Sequence, residues 1–127
     1  MPDAVLDASA VLALLHREPG GETVESILKD SAISTVNISE VIAKLVENGT
    51  DPDGAILLTE AQPFQPADYT LAQAQVAGTL RAATRHAGLS LGDRACLALA
   101  LTLRLPVYTA DRAWRDLPLD VDVRLIR

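Results

Sequence analysis

Cysteine is nearly missing from this chain of 127 residues, which carries Cys96 alone. One cysteine excludes an internal disulfide framework, and with only two well-separated histidines, His16 and His86, it leaves no ligand set for zinc. Aromatic residues are almost as scarce, 3% of a chain that is 49% hydrophobic, so the core must be built from Ala, Leu and Val. Such small side chains suit closely packed helices. Lysine occurs only as Lys29 and Lys44, and no basic stripe runs along the chain, so any grip on nucleic-acid phosphates falls to scattered arginines. Long apolar runs are lacking too. The uncharged stretch Ala95 to Leu103 is far short of the roughly 20 residues that span a bilayer, and no membrane helix is expected. Asp3 and Asp7 interrupt the N-terminal region with no basic segment before it, so no secretory leader is expected and the cytoplasm is the expected location.

What is present points to one α/β domain. At this length folding buries roughly two-thirds of the surface that the unfolded chain exposes, enough for a real core. Short apolar runs alternate with helical patterns, as in a mainly parallel sheet covered by helices. The pattern predicts strands at Ala4–Leu6 and Ala32–Thr35, with helices at Ser9–Leu15 and Gly21–Leu28. Ile38, Val41, Ile42, Leu45 and Val46 fall at i, i+3, i+4, i+7 and i+8, a one-faced helix that stops at Asn48-Gly49. A shorter helix starts at Pro52 with Ala55–Glu60 behind it, and a brief strand is expected within Pro63–Pro66. Asp68–Ala87 reads as one long helix from an acidic cap to Gly88. Asp93–Leu103 carries no charge after Arg94 and should run through the middle of the domain. Pro106–Thr109 then forms a buried strand, Asp111–Leu117 a helical turn or two, and the alternation of Val121, Val123 and Leu125 with charged residues gives an edge strand.

Four acids stand at the edges of the most apolar segments: Asp7, Glu40, Asp93 and Asp111. Each has an ordinary explanation. Asp7 could cap the helix beginning near Ser9, and Asp111 could cap the turn after it. Asn37 and Glu40 are spaced as a capping box, with Lys44 four residues further on, and Ser90 stands three residues before Asp93. Capping does not explain why four such acids lie at the mouths of elements that a parallel sheet brings to one end, where ligands collect. Together their charges would repel unless a divalent cation held them. Oxygen-only donors select Mg²⁺ or Mn²⁺. The net charge of −6 opposes nucleic-acid binding, but two such ions would bring it to about −2 and change the local field. The hydroxyls of Ser9 and Thr109 either cap backbone or bind metal-bound water behind the acids. Cys96 and Trp114 lie on apolar helical patterns and belong to the core, whereas His16 and His86 sit near helix C-termini.

With these residues in view, the chain resembles the PIN-domain family, specifically the single-domain toxin ribonucleases of VapC type. The resemblance rests on VLDASA at Val5–Ala10, EPG at Glu18–Gly20, NISEV at Asn37–Val41, LSLGDRACLALA at Leu89–Ala100 and TADRAW at Thr109–Trp114. These segments follow the family's order and spacing and span nearly the whole chain. The resemblance implies a PIN-like three-layer α/β/α domain in which Asp7, Glu40, Asp93 and Asp111 form an acidic site for Mg²⁺ or Mn²⁺. Ser9 and Thr109 fall on its supporting hydroxyl positions, and Asp116 on the neighbourhood of a further acid. It also implies endoribonuclease activity, a cognate antitoxin and a homodimer. With one or two ions activating water, no Ser, Cys or His nucleophile is needed. Arg112 and Arg115, and also Arg81 and Arg85, are candidate phosphate contacts or plain surface charges.

Two other classes fit parts of the pattern. A phosphoacceptor receiver domain shares the size and the acidic pocket, but it needs adjacent acids after the first strand and a Lys after the fifth. This chain has neither. A binding-only module would keep the acids as caps and act through protein contacts.

Overall fold

The computed structural model describes all 127 residues. Five short strands, β1 (Ala4–Leu6), β2 (Ser31–Ser34), β3 (Gln65–Ala67), β4 (Val107–Thr109) and β5 (Val123–Leu125), form one sheet in the order β3-β2-β1-β4-β5. Every pairing is parallel. Six helices connect them: α1 (Ala8–Leu15), α2 (Gly21–Ile27), α3 (Thr35–Glu47), α4 (Pro52–Glu60), α5 (Leu71–Ala83) and α6 (Leu91–Leu103).

Side-chain alternation along the strands divides the core in two. Leu6 and Ile33 point to the face covered by α1 to α4, packing with Val11, Val24, Val41, Leu45 and Ala55. Their neighbours Val5 and Ala32, with Val107, point to the opposite face, covered by Leu80 of α5 and Cys96, Leu97 and Leu99 of α6. A sheet apolar on both faces must be covered on both, which is the three-layer α/β/α architecture expected from the sequence. No helix is long and apolar enough to cross a membrane.

Three local expectations need correction. The long helix expected over Asp68–Ala87 begins later, with Thr70 rather than Asp68 as its cap, and α5 ends at Ala83. A separate 3₁₀ turn, Arg85–Ala87, follows it. At the break, the buried Thr84 hydroxyl donates to Leu80 O at 2.6 Å, a local bond of the kind that bends helices. The second strand runs Ser31–Ser34, one residue earlier than expected, because Thr35 already belongs to α3 and Ser34 is its cap. The expected strand within Pro63–Pro66 forms at Gln65–Ala67 instead. Pro66 lacks an N–H, and β3 tolerates it as an edge strand.

Candidate active site

Asp7 follows the last residue of β1 and caps α1: its Oδ1 accepts from Ala10 N at 2.9 Å and from the Ser9 hydroxyl at 2.7 Å. Its Oδ2 accepts from the Thr109 hydroxyl, at the end of β4, at 2.7 Å. The two supporting hydroxyls also hold the β4 exit, since Ala110 N donates to Ser9 Oγ and Asp111 N to Thr109 Oγ1, each at 3.0 Å. Both hydroxyls thus accept from backbone, as capping requires, and both donate to the Asp7 carboxylate. Burial pushes the Asp7 carboxyl up from 3.8 to about 6, against the three donated hydrogen bonds, and the Asp93 charge adds to the rise.

Asn37 and Gly92 bring Glu40 against the residue that precedes Asp93. The Asn37 amide donates to Glu40 Oε1 at 2.8 Å and to Gly92 O at 3.0 Å, tying α3 to the first turn of α6. Gly92 is buried against the Glu40 carboxylate, and a Cβ there would overlap it. Asn37 is not the N-cap of α3, and Lys44 pairs with Glu47 at 3.8 Å rather than with Glu40. Both ordinary explanations of Glu40 thus fail. Asn37 had been expected only as a cap; the missed signal is an amide four residues before Val41 and eight before Leu45, on the buried face of α3. Its Oδ1 is buried without a partner.

The ordinary explanations of Asp93 and Asp111 hold. Ser90 and Asp93 form a reciprocal capping box, with bonds of 3.0 and 3.1 Å. Asp111 Oδ1 accepts from Ala113 N at 3.0 Å. Each cap uses one carboxylate oxygen, so Asp93 Oδ1 and Asp111 Oδ2 remain unengaged by hydrogen bonds.

Asp7, Glu40 and Asp93 are brought around one point of the core. Burial and then the charges of these three acids push the thiol of the fully buried Cys96 well above its ordinary value. Asp111 joins them indirectly, through the Thr109 hydroxyl that binds Asp7. No three carboxylates stand close enough to hold one ion as they are arranged. Their chemistry nevertheless fits a hard divalent cation: all donors are oxygen, and none of the four acids is ion-paired. The buried Asn37 Oδ1 is a further unengaged oxygen beside Glu40. Asp116, Arg112 and Arg115 are exposed on the 3₁₀ turn Arg112–Asp116, and Trp114 between them is fully buried.

The model of the PIN domain matches residues 4–119. The chain belongs to the PIN domain family. Solved structures share the fold of this PIN domain at low identity. One is a toxin-antitoxin complex from Klebsiella pneumoniae, a chain of which is 20% identical with a TM-score of 0.74, covering 98% of each chain. Another is DNA-bound VapBC from Salmonella typhimurium, at 18% identity and a TM-score of 0.77 over all of both chains. A third is VapBC-5 from Mycobacterium tuberculosis, at 22% and 0.66 over 99% of each. Among curated protein sequences, none matches.

Proposed function

We propose that this PIN domain is a metal-dependent endoribonuclease and the toxin of a toxin-antitoxin pair. The observation that carries this reading is Asp7, a carboxylate buried at the end of β1, fixed by three donors, sharing its surroundings with Glu40 and Asp93 and paired with no basic side chain. Mg²⁺ or Mn²⁺ bound there would supply an activated water for in-line attack and neutralise charge at the phosphate. The protein's own part is positional. Ser9 and Thr109 hold Asp7, Asn37 holds Glu40, and the Ser90 backbone holds Asp93, so the acids present oxygen without swinging freely. Arg112 and Arg115 stand beside Asp111 as phosphate contacts, and Asp116 as an outer acid.

The toxin reading is supported by the fold shared with chains of VapBC complexes and by uncovered apolar surface. Ile56, Leu57 and Leu58 of α4 and Val46 of α3 are all exposed, as a surface covered by an antitoxin helix would be. A homodimer accompanies this reading.

The deciding experiment is Asp93→Asn. Asparagine keeps an oxygen for the Ser90 N–H, so the α6 cap and the fold should survive, while Mn²⁺-dependent cleavage of RNA should fall at least 100-fold. EDTA should silence the wild type, and Mn²⁺ in excess should restore it. Undiminished cleavage by the variant would remove the site. The caps made by Asp7, Asp93 and Asp111 favour a second reading, a non-catalytic binding module. Stoichiometric Mn²⁺ binding without cleavage of any RNA would select it.

A further inference from the structure

Outside the acidic site, three arginines line the seam between α5 and α6, and none of them meets a carboxylate. Arg81 and Arg85 border a cleft of about 120 Å³ completed by Thr84, Gly88 and Leu89. Arg94 reaches over from α6, donating from Nη1 to Ala77 O at 3.3 Å, one turn before Arg81. Its Nε is buried with no partner. The ion pairs of the molecule, Lys44–Glu47, Arg124–Asp122 and Arg127–Glu18, all lie elsewhere. Three of the chain's 11 basic residues thus gather along one seam without a carboxylate partner. Like charges held near one another cost free energy unless an anion neutralises them.

The seam also adjoins the acids. Leu89 borders the cleft, and the N–H of the next residue, Ser90, donates to Asp93 Oδ2 at 3.0 Å. At about 30 Å³ per water, the cleft has room for about four waters, and so for one tetrahedral oxyanion. Guanidinium groups suit phosphate because their donors form a planar fork.

We propose that the α5–α6 seam holds the RNA backbone beside the point of cleavage, with Arg81 and Arg85 taking phosphate oxygens of the flanking strand and Arg94 adding positive potential along the seam. This rests on the ribonuclease reading but concerns binding, which is separable from cleavage. A polyanion is repelled by the chain as a whole and by its acids, and the seam supplies attraction one step away from them.

Binding of a fluorescein-labelled single-stranded 20-nucleotide RNA to the full chain, followed by anisotropy in EDTA at several salt concentrations, tests it. Arg81→Ala/Arg85→Ala should weaken binding about tenfold and reduce the slope of log K against log salt by about 1.4, at about 0.7 per phosphate contact. Arg81→Lys/Arg85→Lys should retain most of the slope. Both arginines are exposed, so the core is untouched, and a thermal melt of each variant checks this. Unchanged affinity and slope in the alanine variant, or no RNA binding by the wild type, would overturn the proposal. Mn²⁺-dependent cleavage of the same RNA separates the two ideas. Wild-type chain that binds through the arginines but never cleaves refutes the nuclease and leaves the seam. Wild-type chain that cleaves, with KM unmoved in the alanine variant, refutes the seam and leaves the nuclease.

Discussion

At Asp7 one side chain serves two masters. Its cap and its two hydroxyl donors keep the carboxylate in place, yet burial raises its pKa from 3.8 to about 6. The folded state therefore holds the Asp7 proton more tightly than the unfolded chain does. This contribution to stability is complete below about pH 4 and is lost as pH rises through about 6. At about 1.4 kcal/mol per tenfold change, the charged form costs the folded protein about 3 kcal/mol at pH 8. Asp7→Asn removes that charge, keeps an acceptor for Ala10 N and Ser9, and lets the Thr109 hydroxyl turn to accept. In EDTA at pH 8 the variant should be more stable than the wild type by about 1 to 3 kcal/mol, with no gain at pH 4, as measured by urea unfolding. An equal effect at both pH values would mean that the buried charge is not what Asn relieves. The sequence made Asp7 visible as a strand-end acid, but not its protonation, because burial is a property of the packed core.

Between elements, close approach decides what the site becomes. α3 and α6 meet where Gly92 packs on the Glu40 carboxylate and Asn37 bonds to both segments. Gly92→Ala puts a methyl group into the space of that carboxylate. The obstacle is the end of a flexible side chain rather than backbone, and alanine is favoured over glycine inside a helix by up to about 1 kcal/mol. The variant should keep or slightly raise its Tm while losing at least tenfold in Mn²⁺ affinity and cleavage rate, by calorimetry and RNA assay. A large fall in Tm would instead make Gly92 a fold residue. Elements were legible where periodicity was strong: the Ile38–Val46 stripe lies within α3, the uncharged stretch after Arg94 within the buried α6, and Val123–Leu125 in the edge strand β5. They were illegible where a single hydroxyl overrides the pattern. Nothing in the composition of Asp68–Ala87 says that Thr84 will turn back on Leu80 and end α5. Likewise the EPG segment read only as a family signature. In the fold, Arg127 bonds to Glu18 and Pro19 O, and Gly20, at φ +93°, lies on the Ile126 carbonyl, so the segment clasps the end of the chain.

Across the whole molecule, the four acids come from separate parts of the chain: Asp7 after β1, Glu40 within α3, Asp93 in the first turn of α6 and Asp111 beyond β4. The sequence indicated that they share one end of the sheet but not how tightly, since the carboxylate spacing follows from helix placement, and no three are at ligand distance as they stand. An ion held among them would link both layers of helices to the sheet and stabilise the fold globally rather than locally. By mass action, Mn²⁺ at 100 times its Kd adds about 2.7 kcal/mol, which for a domain of this size raises Tm by about 10 °C. At pH 5 the Asp7 carboxyl is largely protonated, its pKa being about 6, so only about half of that rise should remain. The contrast runs opposite to the intrinsic contribution of Asp7, which favours folding in acid, so the two effects separate in melts recorded with Mn²⁺ and with EDTA at pH 5 and pH 8. Asp93→Asn should abolish most of the Mn²⁺-dependent rise at pH 8. A rise equal at both pH values and intact in that variant would place the ion elsewhere on this acidic surface and leave Asp7, Asp93 and Asp111 as caps and Glu40 as the partner of Asn37, without a common ligand to account for their convergence.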